Sequence, residues 1–427
     1  MHRLKKGAMP FRFKHIISML CFLLFCFTAN AQSNYTLQQA LQTARANNPV
    51  LKTEQFNIGV AQTDVTTAQL FINPTFNFNY MNVASKSYAE PNSNLYSAIN
   101  NQYAFQLGKT FQVAGQRRYS IETANKNVAF TEKNYTETER NLFSEVAAKW
   151  LEVWTVQKQL EIIQIAKSNI DSLVLTNQIR YKNQVITQTD LYRTELLSKQ
   201  YAIQYKTALQ EVINRQNELK FLLGVQENLS IDTNDNFLFT MPQSIDSLLK
   251  QSLQNRSDIQ TVKSLIDVSN SNIKLQKSLA FPQPELGFIW NPQNTIPYFG
   301  IYATVDLPFF NRNQGEIKKS YLLKDQAETQ LFTIQSQIQT EISVAFSNYQ
   351  LQQQNLESFN VLLQQSQTIL DNVKYAYLKG GTTIIDFLEA QRSWLETQQQ
   401  YYNAMQAYRQ SYIQLLYATG LINQLAL

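Results

Sequence analysis

The chain has 427 residues, 44% hydrophobic and 16% charged, with 37 Lys+Arg against 32 Asp+Glu and a formal net charge of +5. Its two histidines, His2 and His15, and its two cysteines, Cys21 and Cys26, all fall within the first thirty positions. The remainder therefore holds no Ser-His-Asp or Cys-His nucleophile pair, no ordinary zinc ligand set and no disulfide. No Walker loop or dinucleotide-binding glycine fingerprint occurs either. These absences argue against an enzyme and predict neither a cofactor nor a metal site.

Residues 1–31 predict a secretory signal peptide. Arg3, Lys5, Lys6, Arg12 and Lys14 form a basic start, an apolar run from Ile16 to Phe27 follows, and Thr28-Ala29-Asn30-Ala31 offers an A-x-A cleavage site before Gln32. The run, about 12 residues, is short of the roughly 20 that a helix needs to span a bilayer. An uncleaved anchor is the alternative. Cleavage removes five of the 37 basic residues and none of the 32 acidic ones, leaving a mature net charge of zero. The basic balance is therefore no argument for a nucleic-acid partner.

The rest of the chain alternates between two periodicities. Helices are expected over 36–72, 115–178 and 187–223, where apolar residues recur every three or four positions, as in Leu142, Val146, Trp150, Val153, Leu160 and Ile163. Trp150, Trp154 and Trp394 read as helix packing. Between the first two helices, Phe76, Phe78 and Tyr80 alternate with Asn77 and Asn79, and after a loop over 86–100 Tyr103, Phe105 and Leu107 alternate with Gln102, Ala104 and Gln106. That is the two-residue period of a strand with one apolar and one polar face. The order then recurs: a helix over 244–279, strands with Leu286, Phe288 and Trp290 and with Phe299, Ile301, Ala303 and Val305, a long helix over 313–378 and a shorter one over 383–419.

This recurrence predicts two internal repeats, 32–235 and 236–427, within one subunit spanning 32–427. Tyr181 to Asp190 aligns with Tyr377 to Asp386, Tyr205 with Tyr401, Gly224 with Gly420, and Pro74 with Pro282. At 1.5 Å per residue the long helices reach about 100 Å and the short ones about 55 Å, so two short helices end to end match one long helix. The strands have the length of tilted membrane-spanning strands. Phe78, Tyr80, Tyr103, Phe105, Phe288 and Trp290, with Tyr298 counted beside them, form the expected lipid-facing girdle; hairpins capping a soluble coiled coil are the alternative. Four strands cannot stand alone in lipid, where every backbone group must be paired, so closure with other copies is required. Three copies give twelve strands.

The ordered segments TLQQALQTARANNPVLK, Gly115-Gln116-Arg117-Arg118, IDSLLKQSLQNRSDIQ, VDLPFFNRNQGEIKKS and GGTTIIDFLEAQRSWLETQQQYYNA resemble the TolC-type outer membrane efflux proteins over nearly all of the mature chain. The wording LPFFNRNQG is most similar to the branch serving cobalt–zinc–cadmium or copper exporters. The resemblance implies an α+β membrane protein: a homotrimer with a twelve-stranded outer-membrane β-barrel, four strands per chain, continued by a long periplasmic α-helical barrel. It implies a passive exit channel for small solutes or metal cations. A periplasmic adaptor (membrane fusion) protein and an inner-membrane pump of RND or ABC type would dock on it. A coiled-coil adaptor or scaffold without a barrel, and a type I protein secretion channel, are the alternatives.

The resemblance also implies a channel constriction at Asp190, Tyr377, Gly380, Asp386 and Glu389. Thr382 stands where well-known members carry an arginine, and Lys182-Asn183-Gln184 lacks the glycine of the second half. Read from the residues alone, Thr187-x-x-Asp190 and Thr383-x-x-Asp386 are helix starts, with the acid at the positive end of the dipole. Asp386 and Glu389, three apart, share a helix face, and three copies of them would make acidic rings that favour cations.

Overall fold

The computed structural model describes residues 33–237, 244–293 and 296–427; the expected signal peptide lies outside the described residues. After a short strand β1 (Ser33–Tyr35), Thr36 starts helix α1 (Leu37–Asn47) with a capping box. Its hydroxyl accepts from the Gln39 amide at 3.2 Å, and its own amide donates to the Gln39 side chain at 3.1 Å. The helix expected over 36–72 is in fact two. Pro49 begins α2 (Pro49–Gln69), and Asn48 before it takes an extended ψ of 128°, because the proline ring crowds a helical residue at the preceding position.

The second half breaks at the matching place without a proline. Between α5 (Ile245–Asn255) and α6 (Ser257–Leu279), Arg256 adopts φ −58° and ψ 134°. The cause is tertiary: the buried Arg256 guanidinium donates to the Ala418 carbonyl at 2.8 Å, to Glu341 at 2.7 Å and to Asp258 at 2.6 Å. In the first half the Asn48 side-chain amide donates to the Leu222 carbonyl at 2.8 Å. Each break thus satisfies a carbonyl at the end of a helix returning from the far tip.

Those returning helices are α4 (Gln188–Leu223) and α8 (Ile384–Thr419), 36 residues each, following the long α3 (Gln116–Lys182) and α7 (Gln314–Lys379) of 67 and 66 residues. Gly224 and Gly420 end them in left-handed conformations, φ 66° and 75°. A Cβ on Gly224 would meet the Asn47 carbonyl oxygen at 2.6 Å, and one on Gly420 would meet Arg256 Cγ at 2.9 Å. Short helices therefore abut end to end beside the unbroken long ones, as their lengths predict. Neighbouring helices run α2-α3-α6-α7 on the strand side of this waist and α4-α3-α8-α7 on the tip side.

The waist holds the largest buried cluster, centred on Trp150, Phe143 and Leu151. Two of its tryptophans do more than fill space. Trp150 Nε1 donates to the Tyr35 carbonyl at 3.1 Å and Trp154 Nε1 to the Thr233 carbonyl at 2.9 Å. They pin a small parallel sheet, β1 with β4 (Leu229–Ile231), that the sequence pattern did not signal.

The other sheet contains β2 (Thr75–Asn82), β3 (Asn101–Thr110), β5 (Glu285–Gln293) and β6 (Ile296–Thr304), all antiparallel, in the order β2-β3-β5-β6. Pro74 directly precedes β2 and Pro284 directly precedes β5, so Pro284, not Pro282, is the counterpart of Pro74. Among the described residues no helix is long and apolar enough to cross a membrane.

At the far tip the two turns share one backbone shape. Gly380 has φ 79°, and Gln184, aligned with it, has φ 58° despite its side chain. A non-glycine residue there is strained by about 1 kcal/mol or more. Gln184→Gly is expected to raise stability by about 0.5–1 kcal/mol, and Gly380→Ala to lower it by at least as much, in melting curves of the purified protein.

Candidate channel aperture and lipid-facing sheet

In the four-stranded sheet, Phe78 faces Phe105, Phe105 faces Trp290 and Trp290 faces Phe299 across successive strands. One row away, Phe76, Leu107, Phe288 and Ile301 are in register, and Tyr80 pairs with Tyr103. Directly opposed residues point to the same face, so the alternation read on each strand merges into one aromatic and apolar surface. Ring centroids along it lie 5.1 Å apart for Phe78–Phe105, 5.3 Å for Phe105–Trp290 and 5.9 Å for Phe288–Phe299. Phe78 and Phe288 are more than half exposed, whereas Gly287, Ile289 and Asn291 on the other face are more shielded. Such a difference fits a sheet that curls with its aromatic side outward. Tyr298 does not belong to the girdle: it pairs with Asn291 and lies on the polar face.

At the tip, the sequence-predicted residues divide. Asp190, Tyr377 and Gly380 line one cleft between the two hairpins, together with Arg180, Gln184, Arg193 and Thr382. Asp386 and Glu389 lie outside it, exposed on the first turns of α8.

Tyr377 is almost wholly buried, and its hydroxyl donates to Asn177 Oδ1 of α3 at 2.8 Å. Asn177 Nδ2 donates to Thr194 Oγ1 of α4 at 2.9 Å, and that hydroxyl donates to the Asp190 carbonyl at 2.9 Å. The Arg180 guanidinium sits 4.8 Å from the Tyr377 ring centroid and donates to the Tyr377 carbonyl at 3.4 Å. Burial pushes the Tyr377 hydroxyl above its ordinary pKa, against the pull of Arg180. One side chain of the second repeat is thereby hooked into a polar socket built by the first. Sequence reasoning missed Asn177, Arg180 and Thr194, because their repeat positions hold Val373, Ala376 and Ala390 and no internal match marks them.

Both threonine–aspartate motifs are capping boxes. The Asp190 and Asp386 amides each donate to the preceding cap hydroxyl, Thr187 or Thr383, at 3.2 Å. Thr382 donates to Asp386 Oδ2 at 2.7 Å, as does the Thr383 hydroxyl. Thr382 therefore tightens a helix start, while Arg180 and Arg193 bring guanidinium groups to the cleft, the latter 3.6 Å from Asp190. Hydrogen bonds from Thr382 and then Thr383 hold the Asp386 carboxyl below the usual carboxylate range.

A depressed folded-state pKa contributes stability that is present above the unfolded value and is lost as pH falls through the folded one. Melting of the wild type should therefore drop below about pH 4 relative to its own plateau, and Asp386→Asn should flatten part of that drop. Parallel pH profiles of the two melting temperatures check this.

The profile of the outer membrane efflux protein family matches residues 40–225 and 248–421, one segment in each half. The chain is 23% identical over 391 residues to the probable efflux pump outer membrane protein TtgC of Pseudomonas putida, covering 85% of this chain and 78% of that one. The antibiotic efflux pump outer membrane protein ArpC, also of Pseudomonas putida, gives the same values. Among solved structures, CusC superimposes with a TM-score of 0.75 at 18% identity, covering 93% of this chain and 96% of that one. The open state of the Neisseria gonorrhoeae MtrE channel gives 0.71 at 17%, covering 90% and 89%. With both halves matched and the fold shared, the chain belongs to the outer membrane efflux protein family, a family of channels rather than enzymes.

Proposed function

We propose that three copies of this chain form a passive exit duct through the outer membrane, with energy supplied by partners. The observation that carries this reading is the open sheet. β2 and β6 are its edges and run in opposite directions, so β6 of one copy meets β2 of the next in antiparallel pairing around a symmetry axis. Two copies would give eight strands, an interior just wide enough for side chains to fill; three give twelve and leave a lumen. Edge helices α4 and α7 carry exposed apolar residues, among them Leu196, Ile203, Val361 and Ile369, which neighbouring copies would cover.

In this assembly the helices extend from the sheet into the periplasm. The paired helix tips form the docking end for a periplasmic adaptor and an inner-membrane pump of RND or ABC type. The expected signal peptide over 1–31 provides the export route. The sheet's polar face offers Asn77, Asn79, Gln102 and Gln106 to the lumen. These neutral amides suit a duct for small solutes that leaves selection to the pump. Relatives named for toluene, antibiotic and pyoverdine export fit that division of labour.

In cell fractionation the mature protein is expected in the outer membrane. Arg placed at Phe78, Phe105 or Phe288 should impair insertion by about 2–4 kcal/mol near the bilayer midplane, whereas Arg at Asn77 or Gln106 should be tolerated. Recovery in the soluble periplasmic fraction, or equal tolerance on both faces, contradicts the reading.

We further propose that the tip is the aperture, held shut by Tyr377 in its socket and ringed by Asp386 and Glu389 from three copies. The Asp386→Ala, Glu389→Ala double variant should keep its assembly but lose block by millimolar divalent cations in single-channel recordings. A fall in melting temperature with block unchanged would leave Asp386 as a helix cap alone and place the ring elsewhere.

A further inference from the structure

The polar face of the sheet carries a row that neither the sequence pattern nor the tip accounts for. Thr75, Gly108, Gly287 and Tyr302 lie in register across β2, β3, β5 and β6. The two central positions have no side chain, and the Tyr302 ring lies down across them. A Cβ on Gly287 would come within 2.6 Å of Tyr302 Cζ, and one on Gly108 would overlap both the Tyr302 hydroxyl and the Glu285 carboxylate. The ring is fastened where it lies. Its hydroxyl donates to Glu285 Oε1 at 2.7 Å, and the same oxygen accepts from Thr75 Oγ1 at 3.2 Å. One carboxylate on β5 thus gathers groups from the two edge strands, over a trough that β3 and β5 keep clear.

The row has a defined height. On the same face, only the pairs Thr110–Glu285 and Glu285–Thr304 lie beyond it toward the helices. It therefore sits at the inner end of the sheet, on the face opposite the aromatic girdle. In a closed assembly that face lines the lumen, so each copy contributes one such ring at the same level.

We propose that Tyr302 sets the calibre of the lumen where the sheet meets the helices, and that Glu285 is the positioning residue that holds it flat. Released from Glu285, the ring swings about its first side-chain bond and projects its length into the passage. Held down, it clears the passage. The inference rests on the channel reading above, since it needs the polar face to line a lumen.

The only cysteines in the sequence are Cys21 and Cys26, so a cysteine introduced in place of Thr304 reports access past the ring from outside. Thr304→Cys in the full-length protein is treated in intact cells with a small and with a bulky methanethiosulfonate reagent. In the otherwise wild-type background both reagents should react. Adding Tyr302→Phe or Glu285→Ala should slow the bulky reagent by about tenfold or more and leave the small one unchanged, as narrowing of a pore requires.

Glu285→Gln should behave as wild type, because its amide oxygen still accepts from Tyr302 and Thr75. Tyr302→Ala should restore bulky access even beside Glu285→Ala. A role in barrel stability alone would not split the reagents by size. Tyr302→Phe keeps the ring and its contact with Gly287, so it tests the tether in a folded sheet. Unchanged bulky access in both Tyr302→Phe and Glu285→Ala overturns the proposal. Failure of even the small reagent to reach Thr304→Cys would instead overturn the channel reading.

Discussion

The peptide groups along the outer edges of β2 and β6 govern the rest of this structure. Among the described residues the sheet has four strands and two open edges, and its aromatic face is suited to hydrocarbon. Water can satisfy an open edge; lipid cannot, and each unpaired group there costs several kcal/mol. The same sheet that suits a membrane is thus unable to enter one alone. Closure between copies follows from backbone chemistry, and the opposite directions of β2 and β6 make that closure antiparallel throughout.

The helices solve a related problem with different means. A wall of constant thickness about 100 Å tall needs each long helix to have a neighbour along its whole length. The repeat supplies it as two pieces, and the joint between them is where buried polarity concentrates. Asn48 and Arg256 each leave the helical conformation and donate to a carbonyl two residues before a left-handed glycine. Arg140 adds a further bond to the Tyr417 carbonyl at 2.9 Å, beside Glu137 and Asp258. Guanidinium groups at a helix C-terminus oppose its negative dipole end as well as pairing its last carbonyls. Glycine is required at these joints because a side chain there would strike the neighbouring piece.

Much of this was legible in the sequence because it is periodic. The two-residue alternation named the aromatic face of every strand except at Tyr298, whose aromatic character suggested the girdle while its parity placed it opposite. Helix lengths implied end-to-end stacking, and the T-x-x-D motifs located both tip starts. Features set by contacts between the halves were hidden. Nothing local marks Arg256 as a helix break, since its conformation is imposed by Ala418, Asp258 and Glu341. The socket of Asn177, Thr194 and Arg180 has no counterpart in the second repeat, so the internal alignment that exposed Tyr377 could not expose its partners. The glycine trough under Tyr302 depends on register between strands far apart in sequence, and each glycine alone reads as a weak spot in a strand.

Closure of the β2 and β6 edges by neighbouring copies is open to direct test. The direct measurement pairs a cysteine scan along Thr75–Asn82 with one along Ile296–Thr304 in a single chain, oxidises intact membranes, and separates the products by denaturing electrophoresis. Edge closure predicts cross-linked dimers and closed trimers for a set of pairs with two-residue spacing and antiparallel register, and a mass of three chains for the assembly extracted in mild detergent. Cross-links that form only within one chain, or an extracted mass of a single copy, would contradict it.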